Sequence, residues 1–414
     1  MGSTVATKLP SFADARRLVE EYASTLSPTQ PEMMPLLDAV GLVLAEDLRA
    51  DRDFPPFPRS TRDGFAVRAA DVKTLPAQLR CIGEIKAGAS AEDSSITIKA
   101  GEAVEIMTGA PVPDGADAVV MVEHTERNGD AVVVQRTVAA GENVVAMGAE
   151  ARRGATMVER GTRVNHAIVA IAAALGRPEV AAYRRPRVAI LATGDELVDI
   201  NLRPSPNEIR NSNSYSLAAQ VLAAGGDPMI LPVARDEPDD LALLLRKGLE
   251  ADLLLITGGV SMGKYDLVEQ VLASFQAGIF FTGALIQPGK PVVFGEVKAG
   301  ERKTPFFGLP GNPVSTMVTF QLFARPVLDS LAGAKAQPLL FAQATLKSDL
   351  TSRTGLTRFL PGRLGGGNEK PEVEVVRWQG SGDLMAVARA NCYIVVPPDR
   401  EQFAVGEAIT VLLM

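Results

Sequence analysis

Histidine and cysteine are scarce in this chain of 414 residues, with only two of each. Cys81 and Cys392 are too few for a disulfide framework and too far apart for a CxxC metal or redox motif. His124 and His166 form neither an HExxH element nor a ligand-spaced pair, which argues against histidine-based zinc enzymes and Ser-His-Asp hydrolases. His124 and His166 read as structural residues, and Cys81 and Cys392 as packing residues. Long apolar runs are missing too. The longest, residues 167–175, falls far short of the ~20 residues a membrane helix needs. The first residues carry no apolar signal segment, and Ala6 stands where a myristoylation motif needs Ser or Thr. A soluble cytoplasmic protein with no membrane partner is expected. The net charge of −7 leaves no basic surplus for general nucleic-acid binding. Any chemistry must therefore run on carboxylates, lysines, hydroxyls, backbone amides or a borrowed metal.

At ~150 residues per domain the length allows two to four domains. Residues 11–48 read as two helices. Ser11 caps the first, and Pro31-Glu32 opens the second, with apolar Met34, Leu36, Leu37, Val40, Leu42 and Leu44. From Asp51 to residue 149, proline, glycine and short apolar alternations such as 131–134 indicate strands. Residues 150–176 return to helix, stopped by Gly176 and Pro178. From Arg187 strands alternate with helices. Strands are expected at 188–192, 229–233, 253–257 and 306–309. Helices are expected from Asn213 or Ser214 to Gly225, over 238–249 and 266–275, and from Pro313 to 331. This is the pattern of a mostly parallel α/β sheet. Short alternating strands return from 335 to 414.

Such sheets bind ligands outside the carboxyl ends of their strands. Four unusual loops fall there: Thr193-Gly194-Asp195-Glu196, Arg235-Asp236, residues 257–263, and Leu309-Pro310-Gly311-Asn312-Pro313. The 257–263 loop is neither a Walker A nor a dinucleotide fingerprint. Its glycines either turn amides toward an anion or make a tight strand-to-helix turn. Asp195, Glu196, Asp236 and Asp266 lie at or just after strand ends on one edge. Any one of them would serve as a helix cap. Together they suit a phosphate-bearing substrate bridged by Mg²⁺, which takes one or two carboxylates and keeps waters or phosphates as other ligands. Lys290, in Gln287-Pro288-Gly289-Lys290-Pro291, either meets an anion or is a solvated turn residue. Residues 54–65 and 105–111 form rigid turns to which residue chemistry alone assigns no role.

Six segments occur in order: PPFPRSTRDGFAV (55–67), GEAVEIMTGAPVPDGADAVVMVE (101–123), LATGDEL (191–197), LLITGGVSMGKYD (254–266), PGKPVVFG (288–295) and GLPGNPVS (308–315). Together they resemble the molybdopterin molybdenumtransferases, the MoeA and gephyrin E-domain family, over essentially the whole chain. The resemblance implies an α/β multidomain fold and an elongated homodimer. Its four domains would be a discontinuous helical domain (8–50 and 150–182), a β-rich inserted domain (51–149), a MogA-like three-layer α/β domain (183–332) and a C-terminal β domain (333–414). It also implies insertion of molybdate into adenylylated molybdopterin, with AMP released in a Mg²⁺-dependent step. The molybdopterin-adenylating protein is a further candidate partner.

By motif, Glu196, Asp236 and Asp266 would form the catalytic and metal site, with Lys290 as a fourth catalytic residue. Thr193, Gly258, Gly259 and Ser261 would hold phosphate or pterin. Pro288, Gly289 and Lys290 match the family's anion-binding turn, and Ser381 its fourth-domain wall. Asp63 and Thr108 match second-domain positions near the dimer cleft. The chain departs from the family pattern at Gln287 (lysine in the family), Arg62 (methionine), Glu150 (aspartate) and residues 355–361, where Gly-Leu-Thr-Arg-Phe-Leu-Pro replaces Gly-Arg-x-Glu-Phe-x-Arg. Two oxyanion contacts are thus missing or relocated, with Arg358, Arg363 or Lys264 as candidate replacements. The departures favour an alternative: a non-catalytic or tungstate-preferring paralogue acting as a molybdopterin-binding chaperone or scaffold.

Overall fold

Strands Arg187–Ala192, Leu253–Thr257 and Arg302–Leu309 are rich in apolar residues, as strands covered on both faces must be. The computed structural model describes residues 9–88, 95–259, 267–300, 302–335, 337–367 and 370–414. The chain divides into two units, one of residues up to 45, 161–165 and 179–414, the other of residues 46–160 and 166–178.

In the first unit these strands lie in a six-stranded sheet. Its order is Asp227–Ile230, Arg187–Ala192, Leu253–Thr257, Arg302–Leu309, Val293–Ala299, Gly278–Phe281. The first four run parallel and the last two antiparallel. Alternate residues face opposite layers. Val188, Ile190, Leu253 and Leu255 pack toward helices Ser212–Ala223 and Pro313–Thr319, whereas Ala189, Leu191, Leu254 and Ile256 pack toward Pro238–Gly248 and Leu267–Ser274. Strand Arg187–Ala192 is flanked by the next two strands of this sheet, Asp227–Ile230 and Leu253–Thr257, so the chain reverses its winding there. That reversal opens a crevice at the carboxyl ends of Arg187–Ala192 and Leu253–Thr257.

A five-stranded barrel closes residues 341–413. Thr357–Gly366 pairs with both Pro371–Val375 and Cys392–Val396, and the ring returns through Ala408–Leu413 and Phe341–Leu346. The short strand Ile286–Gln287 joins it in parallel, with Gln287 in register with Arg358. The second unit holds another six-stranded sheet, ordered Ala118–Met121, Gly64–Val67, Glu102–Ile106, Ala77–Ile85, Ala131–Val134, Thr125–Asn128. Among the described residues, no helix is long and apolar enough to cross a membrane.

Two expected helices fold otherwise. Pro31–Pro35 is a strand antiparallel to Glu179–Tyr183, followed by turns. Pro35 would sit inside the expected helix, where it has no N–H to donate and clashes with the preceding turn. Of residues 150–176 only His166–Ala174 is helical, because Gly154 and Gly161 adopt left-handed turns and Thr156–Val158 pairs with Leu48–Arg49. The helix after Gly194 starts at Ser212, capped by Asn211 rather than by Asn213 or Ser214.

Helix Phe12–Ala23, capped by Ser11, packs against the long helical run 313–331, whose middle turn, Phe320–Ala324, is π-helical. Pro326 withholds the N–H that an α-helix would bring to the Leu322 carbonyl. Arg16 Nη1 donates to that carbonyl at 2.6 Å, while its Nε bonds Glu20. Arg16→Met leaves a buried acceptor bare and should cost about 1–3 kcal/mol, read as a lower urea midpoint. An unchanged midpoint would show that the carbonyl has another partner.

Candidate functional site

The crevice at the reversal point is a cavity of about 700 Å³. Thr193, Glu196, Asp236, Gly258 and Gly259 all line it. The Thr193 amide donates to the Thr257 carbonyl at 3.0 Å, fastening the two strand ends together. Gly258 has φ +88°, and a Cβ there would lie 2.3 Å from the Thr193 carbonyl oxygen. Only glycine lets the two loops approach this closely.

The acidic side chains stand on one side of this floor. Thr193 Oγ1 donates to Asp236 Oδ1 at 2.9 Å, and the Asp236 amide donates to Asp195 Oδ1 at 3.2 Å. Asp236 Oδ2 has no partner among the described residues. The Glu196 carboxylate folds back over Gly194, where a Cβ would lie 2.6 Å from Oε2. Arg210 is the one cationic residue in the described lining, and its Nε is bound to the carbonyls of Ile200 and Leu202. The cavity thus offers hard oxygen donors. Among the described residues no cluster of three His, Cys, Asp or Glu could hold a metal ion. Two carboxylates with an open face nevertheless fit Mg²⁺, which takes one or two and completes its shell with water and phosphate. Asp266 and Ser261, like Lys264, lie outside the described residues.

Positive charge gathers nearby. Pro291 lines the cavity, and the turn before it ends at Lys290, whose exposed ammonium has no hydrogen-bond or ion-pair partner among the described residues. Pro288 and Gly289 are buried, Gly289 against Thr319. The register with Gln287 puts Arg358 beside this turn. Burial, and then the charge of Arg353, hold the Arg358 pKa below its ordinary value. Arg358 Nε reaches only the Arg353 carbonyl, at 3.2 Å, and neither arginine has a carboxylate partner among the described residues. Arg363 lies instead opposite Glu374 on the barrel. Ser381 is joined to the cavity wall through its carbonyl, which accepts from the Val314 amide at 2.9 Å, and Gly382 and Leu384 line the cavity beside it.

Asn211 and Asn213 also line the cavity. Asn211 Oδ1 accepts from the Ser214 amide as a helix cap. Asn213 Nδ2 donates to Thr257 Oγ1 at 3.0 Å and to the Gly311 carbonyl at 2.7 Å. Neither was read as a site residue from sequence. The signal was the run Asn211-Ser212-Asn213-Ser214, which holds more small polar residues than one cap requires.

The chain as a whole is similar to known proteins. Residues 10–176 match the model of the MoeA N-terminal region (domain I and II), residues 189–330 that of a probable molybdopterin binding domain, and residues 343–414 that of the MoeA C-terminal region (domain IV). The molybdopterin molybdenumtransferase of Nostoc sp. is 34% identical, covering 98% of this chain and 94% of its own length. That of Bacillus subtilis is 33% identical, covering 93% of this chain and 90% of its own. The chain belongs to the molybdopterin molybdenumtransferase family. The crystal structure of the molybdopterin biosynthesis moeA protein from Pyrococcus horikoshii OT3 superposes with a TM-score of 0.80 at 31% identity, over 98% of this chain and 100% of that one. The fold of this family member is therefore the α/β multidomain fold of a MoeA protein.

In the second unit of this molybdopterin molybdenumtransferase family member, Asp63 Oδ1 accepts from the Thr108 amide at 2.6 Å and the Thr108 hydroxyl at 2.8 Å. These bonds, the amide foremost, hold the Asp63 pKa below the ordinary 3.8. A depressed carboxylate pKa stabilises the fold above 3.8 and loses that contribution as pH falls through the folded value. In Thr108→Val, Asp63 should titrate closer to 3.8 by carbon-detected NMR. The variant's stability deficit should also shrink as the solution is acidified. An unmoved titration would leave the Thr108 amide, and not its hydroxyl, as the cause.

Proposed function

We propose that the chain acts in molybdenum cofactor biosynthesis, inserting molybdate into adenylylated molybdopterin and releasing AMP in a Mg²⁺-dependent step. One juxtaposition carries this reading: an acceptor-lined cavity at the strand ends beside a basic cluster without carboxylate partners. A phosphate-bearing substrate and a dianionic oxyanion repel each other, so each needs its own neutralising group. Glu196 and Asp236 would hold Mg²⁺, which supplies charge neutralisation for the phosphates. Thr193 fixes the rotamer of Asp236 by its hydrogen bond. The close approach at Gly258 holds the two strand-end loops together beneath the substrate.

Lys290, with Arg353 and Arg358 nearby, would draw molybdate to the neighbouring wall. Arg358 thereby takes the role of a missing family cation. Cys81 and Cys392 are buried, so the sulfur ligands of molybdenum come from the substrate. The reading includes a cytoplasmic homodimer, to which the exposed Met33 and Leu37 offer apolar surface, supplied by a molybdopterin-adenylating protein.

Incubating the purified protein with adenylylated molybdopterin, Mg²⁺ and molybdate should release AMP in step with cofactor formation. AMP release with tungstate alone would change the cargo, and none with either oxyanion would overturn the transferase reading. Asp236→Asn should lower turnover by at least about tenfold with the far-ultraviolet circular dichroism unchanged. Undiminished turnover would remove Asp236 from the site.

A further inference from the structure

One wall of the cavity is built by a short detour of the chain. Strand Leu197–Val198 pairs in parallel with Ile209–Arg210, and the Ile209 amide donates to the Glu196 carbonyl at 2.8 Å. Arg210 therefore lies on the strand beside the Glu196 segment, and both residues line the cavity. The Arg210 guanidinium is anchored by its own loop. Its Nε donates to the carbonyl of Ile200 at 3.1 Å and to that of Leu202 at 3.0 Å. All N–H groups of a guanidinium lie in one plane, so this shared bond also fixes the terminal groups on Nη1 and Nη2. Closing the loop requires a donor but no charge, and a neutral amide would serve. The charge is what the anchor leaves over.

Arg210 is exposed, so a ligand in the cavity can reach it. A guanidinium held in one orientation matches a tetrahedral oxyanion, because two parallel N–H groups meet two oxygens. We propose that Arg210 is a phosphate-binding residue, its Nη1 and Nη2 gripping the substrate phosphate beside Glu196. This rests on the reading of the substrate as adenylylated molybdopterin with Mg²⁺ at Glu196 and Asp236. The phosphate is then neutralised from two directions, by the metal and by a cation from the adjacent strand. Molybdate presents the same tetrahedral oxygens. The pairing of Arg210's strand with the Glu196 segment, and not with the Lys290 turn, selects the phosphate.

The test is calorimetric titration of AMP with Mg²⁺ into the full-length protein and two variants. Arg210→Gln keeps an amide donor for the loop and loses the charge, whereas Arg210→Lys keeps the charge and loses the fork. AMP affinity should fall at least about tenfold in Arg210→Gln, with Arg210→Lys between it and the wild type. Equilibrium dialysis of molybdate should give the same affinity in all three proteins. In the wild type, AMP should protect Arg210 from modification by phenylglyoxal, read by peptide mass spectrometry, and adenosine should not. That arm depends on no variant folding. Equal AMP affinity in wild type and Arg210→Gln, equal weakening of both variants, or an unprotected Arg210 would overturn its role and leave the substrate reading intact. Loss of molybdate binding with AMP binding kept would give Arg210 to the other oxyanion and overturn the proposal. No AMP binding by the wild type would overturn the phosphate reading and this proposal together.

Discussion

The hydrogen bond from the Thr193 amide to the Thr257 carbonyl joins the two strand ends where the chain reverses its winding. Both faces of this sheet are covered by helices, so a ligand can approach only at the strand ends. Everything the cavity offers is hung from that junction. Thr193 bonds Asp236, Gly258 packs on the Thr193 carbonyl, and Asn213 reaches across from the next helix to Thr257. A side chain at residue 258 would part the two ends and move every one of these groups.

Charge is separated around this junction. The cavity presents carboxylates, whereas Lys290, Arg353 and Arg358, which have no carboxylate partner among the described residues, belong to the turn before Pro291 and to the barrel. The pairing of Ile286–Gln287 with the start of Thr357–Gly366 brings barrel and turn together. Two anions can then be held side by side without sharing a counter-charge. An overall negative chain can serve anionic ligands in this way, because a local cluster or a cation decides the potential each ligand meets.

The alternating region was legible because its strands are short apolar runs ended by glycine or proline, and its helices carry caps and regular apolar spacing. Glu196, Asp236 and Gly258 could be placed at one edge for the same reason. Residues 31–48 were not legible. Their apolar spacing suits a helix, and only the consequence of Pro35, together with a partner strand at 179–183, decides for a strand. Contacts distant in sequence escaped as well. The Asp63–Thr108 pair, the Gln287–Arg358 register and the two bonds of Asn213 depend on how separate segments meet, and no local period encodes them. The motif resemblance reached Asp63, Thr108 and Ser381, where residue chemistry alone had assigned nothing.

A cation-bridged phosphate at Glu196 and Asp236 is the central claim, and calorimetric titration of AMP into the protein with and without Mg²⁺ tests it most directly. Binding should be at least about tenfold tighter with the metal, since carboxylates and phosphate repel unless a divalent ion lies between them. Equal affinity in its absence would contradict the claim.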